Sequence, residues 1–190
     1  MSNRKMVILG FVLVVLAQLY VPAIMIMDRE NILKTGKEFR FKTAPVDPND
    51  PFRGKFVYLQ YEADTVQVDY NKEWKINEEI FISLDIDKQG FVYITSASKE
   101  EPSSDEDFLK VKVRNIPDNS NKILTIEYPF DRFYLEESKA SNAEQQYIKA
   151  QQDTTNLTYA LVNIKNGNAV LKDVLINGVS ISKIAENKRE

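Results

Sequence analysis

An uninterrupted apolar run near the N-terminus constrains this chain more than any other feature. Residues 6–27 read MVILGFVLVVLAQLYVPAIMIM, with no charged side chain and with Gln18 as the one strongly polar group. As a helix this run is about 33 Å long, which matches the roughly 30 Å hydrocarbon core of a bilayer. A soluble amphipathic helix needs a polar face, and the run offers none before Gln18. The run therefore predicts a transmembrane anchor.

A removable signal peptide is the alternative interpretation of the same run. Signal peptides have an apolar core of about 7–15 residues that ends in a small-x-small cleavage site. Here the run is longer and closes with AIMIM at residues 23–27, which makes a poor cleavage site. We therefore expect the helix to be retained.

The charges beside the run predict how it is inserted. Arg4 and Lys5 precede it without any acidic residue, whereas residues 28–30 are a mixed Asp-Arg-Glu sequence. Cationic flanks stay on the cytoplasmic side of a membrane. We expect residues 1–5 in the cytoplasm and the residues after 27 outside it, in a periplasm or at a cell surface.

Two residue types are missing from the 190-residue chain, and their absence excludes several kinds of active site. The sequence has no histidine and no cysteine. It therefore has no Ser-His-Asp triad, no cysteine nucleophile, no disulfide and no zinc site of the usual type. We expect no cofactor and no required metal, and we interpret the chain as non-enzymatic.

The net charge argues against a nucleic-acid partner. Two basic residues precede the anchor, which leaves 23 basic residues against 28 acidic ones in the rest of the chain. A domain with a net charge of about −5 repels a phosphate backbone.

The residues after the anchor suffice for one domain rather than two.

Alternating apolar and polar residues predict a mainly β (α+β) domain over residues 38–185, between a polar linker at 28–37 and a frayed tail at 186–190. Asn-Gly pairs at 166–167 and 177–178 are strong hairpin signals. Because open sheets leave exposed edges, we expect a small antiparallel barrel or sandwich-like domain. The predicted strands are residues 38–43, 55–61, 79–85, 91–95, 108–114, 123–128, 158–164, 169–176 and 179–182.

One helix is predicted inside this domain, between the middle and the last hairpins. Residues 138–152 (SKASNAEQQYIKAQQ) have helical composition, and Ser138 or Ser141 would cap the first turn. Residues 99–107 are polar and contain a proline, which predicts a mobile loop.

A proline-rich loop followed by a strand is the most distinctive part of the domain. Pro45, Pro48 and Pro51 exclude a helix or a central strand there. Gly54 follows, where a positive φ or a close backbone approach is the simplest reason for glycine. Residues 55–61 (KFVYLQY) then place Phe56, Tyr58 and Gln60 on one face and Val57, Leu59 and Tyr61 on the other.

Residues 45–61 resemble the signature of the GDYXXLXY family of membrane-anchored bacterial proteins. Gly54, Leu59 and Tyr61 match the motif, whereas Lys55 and Phe56 stand at its Asp and first Tyr positions. Residues 33–36, 133–137, 166–167 and 177–178 resemble further blocks of the family. The resemblance implies an N-terminal anchor, an extracytoplasmic domain and a polytopic membrane-protein partner. It transfers no catalytic activity, and the charge reversal at Lys55 argues for a structural or binding role.

Charged residues in and near the signature are candidates for binding. Asp47 and Asp50 could ligate a hard cation such as calcium, although in such a loop they more simply form Asx turns. Arg53 could bind an external carboxylate or phosphate, or it could pair with Glu136 or Glu137 inside the domain. Adjacent carboxylates on a strand face opposite ways, and at a helix start they favour its dipole, so paired-carboxylate catalysis is not expected.

Aromatic residues of the same blocks could line a ligand groove, but aromatic side chains of strands more often pack in the core. This choice applies to Tyr58, Tyr61, Phe133, Tyr134 and Trp74. No catalytic and no metal-ligating residue is assigned. The candidate ligand- or partner-binding residues are Asp47, Asp50, Arg53, Gly54, Tyr58, Tyr61, Arg132, Tyr134, Glu136 and Glu137.

These observations favour a membrane-anchored accessory or binding module. It would contact the bilayer through residues 6–27 and act with a membrane-protein partner. The alternative is an envelope hydrolase or ligand-binding domain that acts through residues 45–61.

Overall fold

A computed structural model describes residues 3–45, 56–68, 73–103, 106–117, 123–153 and 155–186. Within them the chain forms one long N-terminal helix and a mainly β domain that carries two further helices, which confirms the predicted fold class. The elements are α1 Asn3–Thr35, β1 Lys37–Ala44, β2 Phe56–Tyr58, β3 Gln60–Tyr61, β4 Thr65–Gln67, β5 Glu79–Ile86, β6 Val92–Ser98, β7 Phe108–Asn115, β8 Ile123–Glu127, β9 Arg132–Tyr134, α2 Glu137–Gln152, β10 Thr158–Lys165, β11 Asn168–Ile176, β12 Val179–Ser180 and α3 Ile181–Glu186.

Helix α1 contains the apolar run and is long and apolar enough to cross a membrane. None of its most apolar stretch is buried against the domain. Pro22 lies inside the helix without ending it. The helix continues past residue 27 through most of the predicted linker and ends at Thr35, where the backbone N–H of Gly36 donates to the carbonyl of Ile32 at 2.8 Å.

The first sheet has the strand order β12-β11-β10-β1-β3, and all of its pairs are antiparallel. Both predicted Asn-Gly turns are present in it. Asn166 and Gly167 have φ values of 50° and 72°, and Asn177 and Gly178 have 51° and 82°. Positive φ at both central residues is what a two-residue hairpin turn requires, and asparagine and glycine tolerate it best.

The second sheet has the order β4-β8-β7-β5-β6, again antiparallel. Its edge strands β4 and β6 approach each other, so this sheet is nearly closed into a barrel. The predicted β5–β6 hairpin turns at Gly90, whose φ is 87°. The carboxylate of Asp87 stabilises this turn by accepting from the N–H groups of Gln89 and Phe91.

One continuous core joins the two sheets, because alternate residues of each strand point inward. Strand β1 contributes Phe39 and Phe41, which are 1% exposed, and the second sheet contributes Ile80, Ile82 and Leu109. Helix α2 covers part of this core with small residues and Tyr147, all on one face.

Four sequence-based expectations need correction. The predicted strand at 55–61 is interrupted at Leu59 and divides into β2 and β3. The short strands β4 and β9 were not predicted. The last predicted strand, 179–182, pairs only at Val179–Ser180, after which the chain turns into α3. Helix α2 begins at Glu137 after Glu136, with no side-chain cap bond, so neither Ser138 nor Ser141 is its N-cap.

Candidate functional site

The signature strand changes its partner at Leu59. Before that residue, β2 pairs with β9, with Phe56 opposite Tyr134 and Tyr58 opposite Arg132. After it, β3 pairs with the end of β1 in the first sheet. The N–H of Leu59 donates to the carbonyl of Asp131 at 2.8 Å, which joins the two segments. Residues 56–61 of the signature and residues 130–134 therefore form one structural unit.

Tyr61 lies in an aromatic cluster formed by Phe41, Tyr61, Tyr128 and Phe130. Its ring centroid is 5.1 Å from that of Tyr128 and 5.4 Å from that of Phe130, in edge-to-face arrangements. Its hydroxyl donates to the carbonyl of Phe130 at 2.8 Å. Tyr61 is only 4% exposed, and burial, followed by the neighbouring Tyr147 and Tyr128, raises its pKa. In this position Tyr61 supports the core and presents no surface to an external ligand.

The outer face of the β2–β9 ribbon carries three side chains that we call the ribbon patch: Phe56, Arg132 and Tyr134. The guanidinium carbon of Arg132 lies 5.2 Å from the ring centroid of Phe56, and that ring lies 5.6 Å from the ring of Tyr134. Tyr134 is 65% exposed. A hydrogen bond with Tyr134, with a smaller effect of the Asp131 charge, raises the pKa of Arg132. Arginine and tyrosine on an exposed surface are the residue types that dominate binding hot spots.

The remaining candidates that the structure describes are Tyr58, Glu136 and Glu137. Glu136 and Glu137 are exposed at the start of α2, and Glu136 pairs with Lys139 of the same helix at 3.3 Å. Tyr58 lies opposite Arg132, on the same face of the ribbon as Phe56, and is half-buried. Asp47, Asp50, Arg53 and Gly54 lie outside the described residues, so the predicted Arg53–carboxylate pair stays a prediction.

The junction between the anchor and the domain was not anticipated from the sequence. Ile32 is buried, and the guanidinium of Arg29 donates to the carbonyl of Ala169 at 2.8 Å. The side-chain amide of Asn163 donates to the carbonyl of Leu33 at 3.0 Å. A Cβ at Gly36 would lie 2.5 Å from the carbonyl oxygen of Ile32 and 3.0 Å from that of Ile164, so glycine permits both the end of the helix and the close approach to the sheet. The helix is thus attached to the first sheet directly, rather than through a flexible tether.

A cleft of about 340 Å³ lies beside this junction, between Arg29, the second sheet and the end of the β10–β11 hairpin. Three basic and two acidic side chains line it. Lys110 pairs with Glu79 at 2.9 Å, and this hydrogen bond lowers the pKa of Glu79. The cleft therefore offers a polar, ion-paired surface in place of a nucleophile with an adjacent base.

Within the described residues, no group of three or more Asp and Glu side chains could hold a metal ion. Just after the signature, the hydroxyl of Tyr128 donates to the carbonyl of Ala63, and this contact is structural.

Comparison with known families is consistent with this geometry. The family model described as GDYXXLXY protein matches residues 18–174, which include most of the domain and the second half of the apolar run. The chain belongs to the GDYXXLXY family. No match was found among curated proteins or among solved structures.

Within the described part of the chain, the residues at the GDYXXLXY motif positions lie in two different environments. Leu59 and Tyr61, which match the motif, are both buried, and both bond to the chain segment at residues 130–131. Phe56, which replaces the first Tyr of the motif, packs against Arg132 and Tyr134 at the surface. Leu59 and Tyr61 of the motif are therefore part of the core, and Phe56 belongs to the ribbon patch.

Proposed function

We propose that this GDYXXLXY protein is an accessory module, anchored by α1, whose domain lies outside the cytoplasm and binds a membrane-protein partner. The rigid junction is the observation that carries this proposal. An apolar helix that enters the domain without a break holds the domain close to the bilayer, where its partners would be membrane proteins. Arg4 and Lys5 precede the apolar run, at the end of it that is away from the domain. Because basic flanks stay in the cytoplasm, they support an extracytoplasmic domain.

The ribbon patch is the surface that we propose contacts the partner. Its arginine is stacked on one ring and bonded to another, so little side-chain freedom is lost on binding. Its exposed area combines aromatic carbon with a fixed positive charge. A partner segment that presents a carboxylate beside an apolar side chain would be complementary to it.

Reporter fusions test the orientation. A reporter that is active only after export should be active when fused at Gly36 and at the C-terminus, and a cytoplasmic reporter should be inactive at both. Reversal of Arg4 and Lys5 to glutamate should reduce the exported fraction. Cytoplasmic activity at both positions of the native sequence would show that the domain faces the cytoplasm.

Affinity purification from detergent-solubilised native membranes tests the partner. The full chain should recover a membrane protein, and Arg132→Ala or Tyr134→Ala should reduce that recovery. Tyr93→Ala is the matched control, because Tyr93 is an exposed tyrosine of β6, outside the ribbon patch. Recovery of no partner, or equal recovery with all three variants, would contradict the proposal.

A further inference from the structure

Gln18 is a polar side chain at the centre of the anchor. It lies about 2 Å along the helix axis from the midpoint of residues 6–27, whereas each surface of a bilayer is roughly 15 Å from its centre. The side chain is too short to reach water from there. It is exposed on α1, and no hydrogen bond joins it to any described residue.

A second polar group of the same residue lacks its regular partner. In an α-helix the carbonyl of Gln18 accepts from the N–H of residue 22, but residue 22 is proline and has no N–H. The amide side chain and this carbonyl therefore lie at one depth in the hydrocarbon. Unpaired polar groups are costly there, which favours an external hydrogen-bonding partner.

We propose that α1 pairs in parallel with α1 of a second copy of this chain, with the two Gln18 amides bonded to each other. A carboxamide carries both a donor and an acceptor, so it is complementary to another copy of itself. Two copies inserted in the same direction place their Gln18 residues at the same depth by symmetry. A different helix would need its own polar group at that depth, whereas a second copy supplies one automatically.

The surroundings of Gln18 permit close approach of a second helix. Val14 and Val21 lie one turn before and after it on the same side of α1, at the i−4 and i+3 positions. Gly10 and Ala17 border this side. Small residues at such a face allow backbones to approach closely in membranes. Phe11, two turns before Gln18, also lies on this side, and the opposite side carries Leu9, Leu13, Leu16 and Tyr20.

Cysteine cross-linking of the full chain in native membranes tests this pairing, since the native sequence contains no cysteine. Val14→Cys and Val21→Cys should form disulfide-linked dimers on mild oxidation. Leu16→Cys and Tyr20→Cys, at similar depths on the opposite side, are the matched controls and should form several-fold fewer. Adding Gln18→Leu should abolish the cross-links at Val14→Cys and Val21→Cys, whereas Gln18→Asn, which keeps both a donor and an acceptor, should retain them.

Three results would overturn the pairing: equal cross-linking at all four positions, dimers that persist with Gln18→Leu, or Gln18-dependent cross-links to a different protein in place of dimers. The inference needs a membrane-spanning α1 but neither the proposed orientation nor the ribbon patch. Its failure would leave the purification experiment intact, and failure of that experiment would leave the cross-linking result intact.

Discussion

Tyr61 is buried in the aromatic cluster, where its ring packs on Tyr128 and Phe130 and its hydroxyl bonds to the carbonyl of Phe130. Tyr61→Phe keeps the ring but leaves that buried carbonyl without its donor, so we expect a loss of about 1–3 kcal/mol in the free energy of unfolding. Tyr61→Ala also removes the ring and should cost about 3–5 kcal/mol. Denaturant titration of the full chain in detergent micelles measures both.

The control for this series is Tyr134→Phe, because Tyr134 is exposed on the ribbon patch. A surface change of this kind should alter stability by no more than about 0.5 kcal/mol. If Tyr61→Phe were as mild as Tyr134→Phe, the hydroxyl of Tyr61 would have no role in stabilising the core.

Three of the nine tyrosines should also make the fold sensitive to alkali. Burial raises the pKa of Tyr61, Tyr128 and Tyr147. These groups stay protonated in the folded chain above pH 10, where an unfolded tyrosine begins to ionise. The unfolded state therefore releases protons that the folded state retains, and stability falls as pH rises above about 10. Below that pH the three groups have no effect.

Tyrosinate absorbance followed together with circular dichroism checks this prediction. Tyr61, Tyr128 and Tyr147 should ionise only as the domain unfolds. Tyr147→Phe removes one of the groups and should make the fall in stability above pH 10 less steep. Full ionisation of all tyrosines in a still-folded domain would contradict the prediction.

At the scale of single elements, the two Asn-Gly turns form a natural matched pair. Gly167 and Gly178 both have positive φ. A Cβ at Gly167 would lie 2.6 Å from the ring of Phe108, whereas one at Gly178 would meet nothing within 4 Å. The carbonyl of Gly167 also accepts from the N–H of Lys110 at 2.9 Å, so this turn joins the two sheets.

We therefore expect Gly178→Ala to cost about 1–2 kcal/mol, the backbone penalty of a left-handed alanine. Gly167→Ala should cost about 1–3 kcal/mol more, because the added methyl displaces the Phe108 ring. Thermal or denaturant unfolding of the two variants measures the difference. Equal destabilisation would mean that the contact between Gly167 and Phe108 contributes nothing to stability.

The elements that the sequence predicts are those whose signal is local. The two hairpin turns are predictable because asparagine and glycine are the residues that best tolerate the positive φ angles of such turns. The membrane-spanning helix is predictable because the apolar run is long enough to cross a bilayer. Strands β4 and β9 have three residues each and form because a partner strand lies beside them. A periodicity search cannot detect so short a pattern.

Helix α3 shows how a tertiary contact decides an ambiguous sequence. Residues 179–182 alternate as a strand does, but Ile181 and Ala185, one helical turn apart, are both buried. The side chain of Asn142 in α2 donates to the carbonyl of Ala185 at 2.9 Å. Packing against α2 therefore favours the helix, and this information is absent from residues 179–186 alone.

The candidate site was predictable to a similar extent. The sequence suggested one contact between these blocks, the pair of Arg53 with Glu136 or Glu137, and Arg53 lies outside the described residues. The pairing of β2 with β9 was not predicted. It did not separate buried Tyr61 from exposed Tyr134, because both follow the same alternating pattern. It also missed the anchor junction, since Arg29 and Asn163 bond to backbone carbonyls that belong to distant residues.

At the scale of the whole molecule, the junction predicts a fixed position of the domain relative to the bilayer. Residues 165–168, the end of the β10–β11 hairpin, lie beside α1, and Asn166 lines a cleft together with Met25 of the apolar run. Asn177, in the other Asn-Gly turn, lies beyond the opposite end of β10, which is about 24 Å long. The first turn should therefore lie at the membrane surface and the second far from it.

Site-specific labelling tests this arrangement directly, because single cysteines can be introduced into a cysteine-free chain. In reconstituted full-length protein, a fluorophore at Asn166→Cys should be quenched strongly by spin-labelled lipid headgroups, and one at Asn177→Cys only weakly. Arg29→Ala combined with Asn163→Ala removes two of the bonds that join α1 to the domain, so it should reduce the difference between the two labels. Similar quenching of both labels in the otherwise native chain would mean that the domain moves freely about the end of α1.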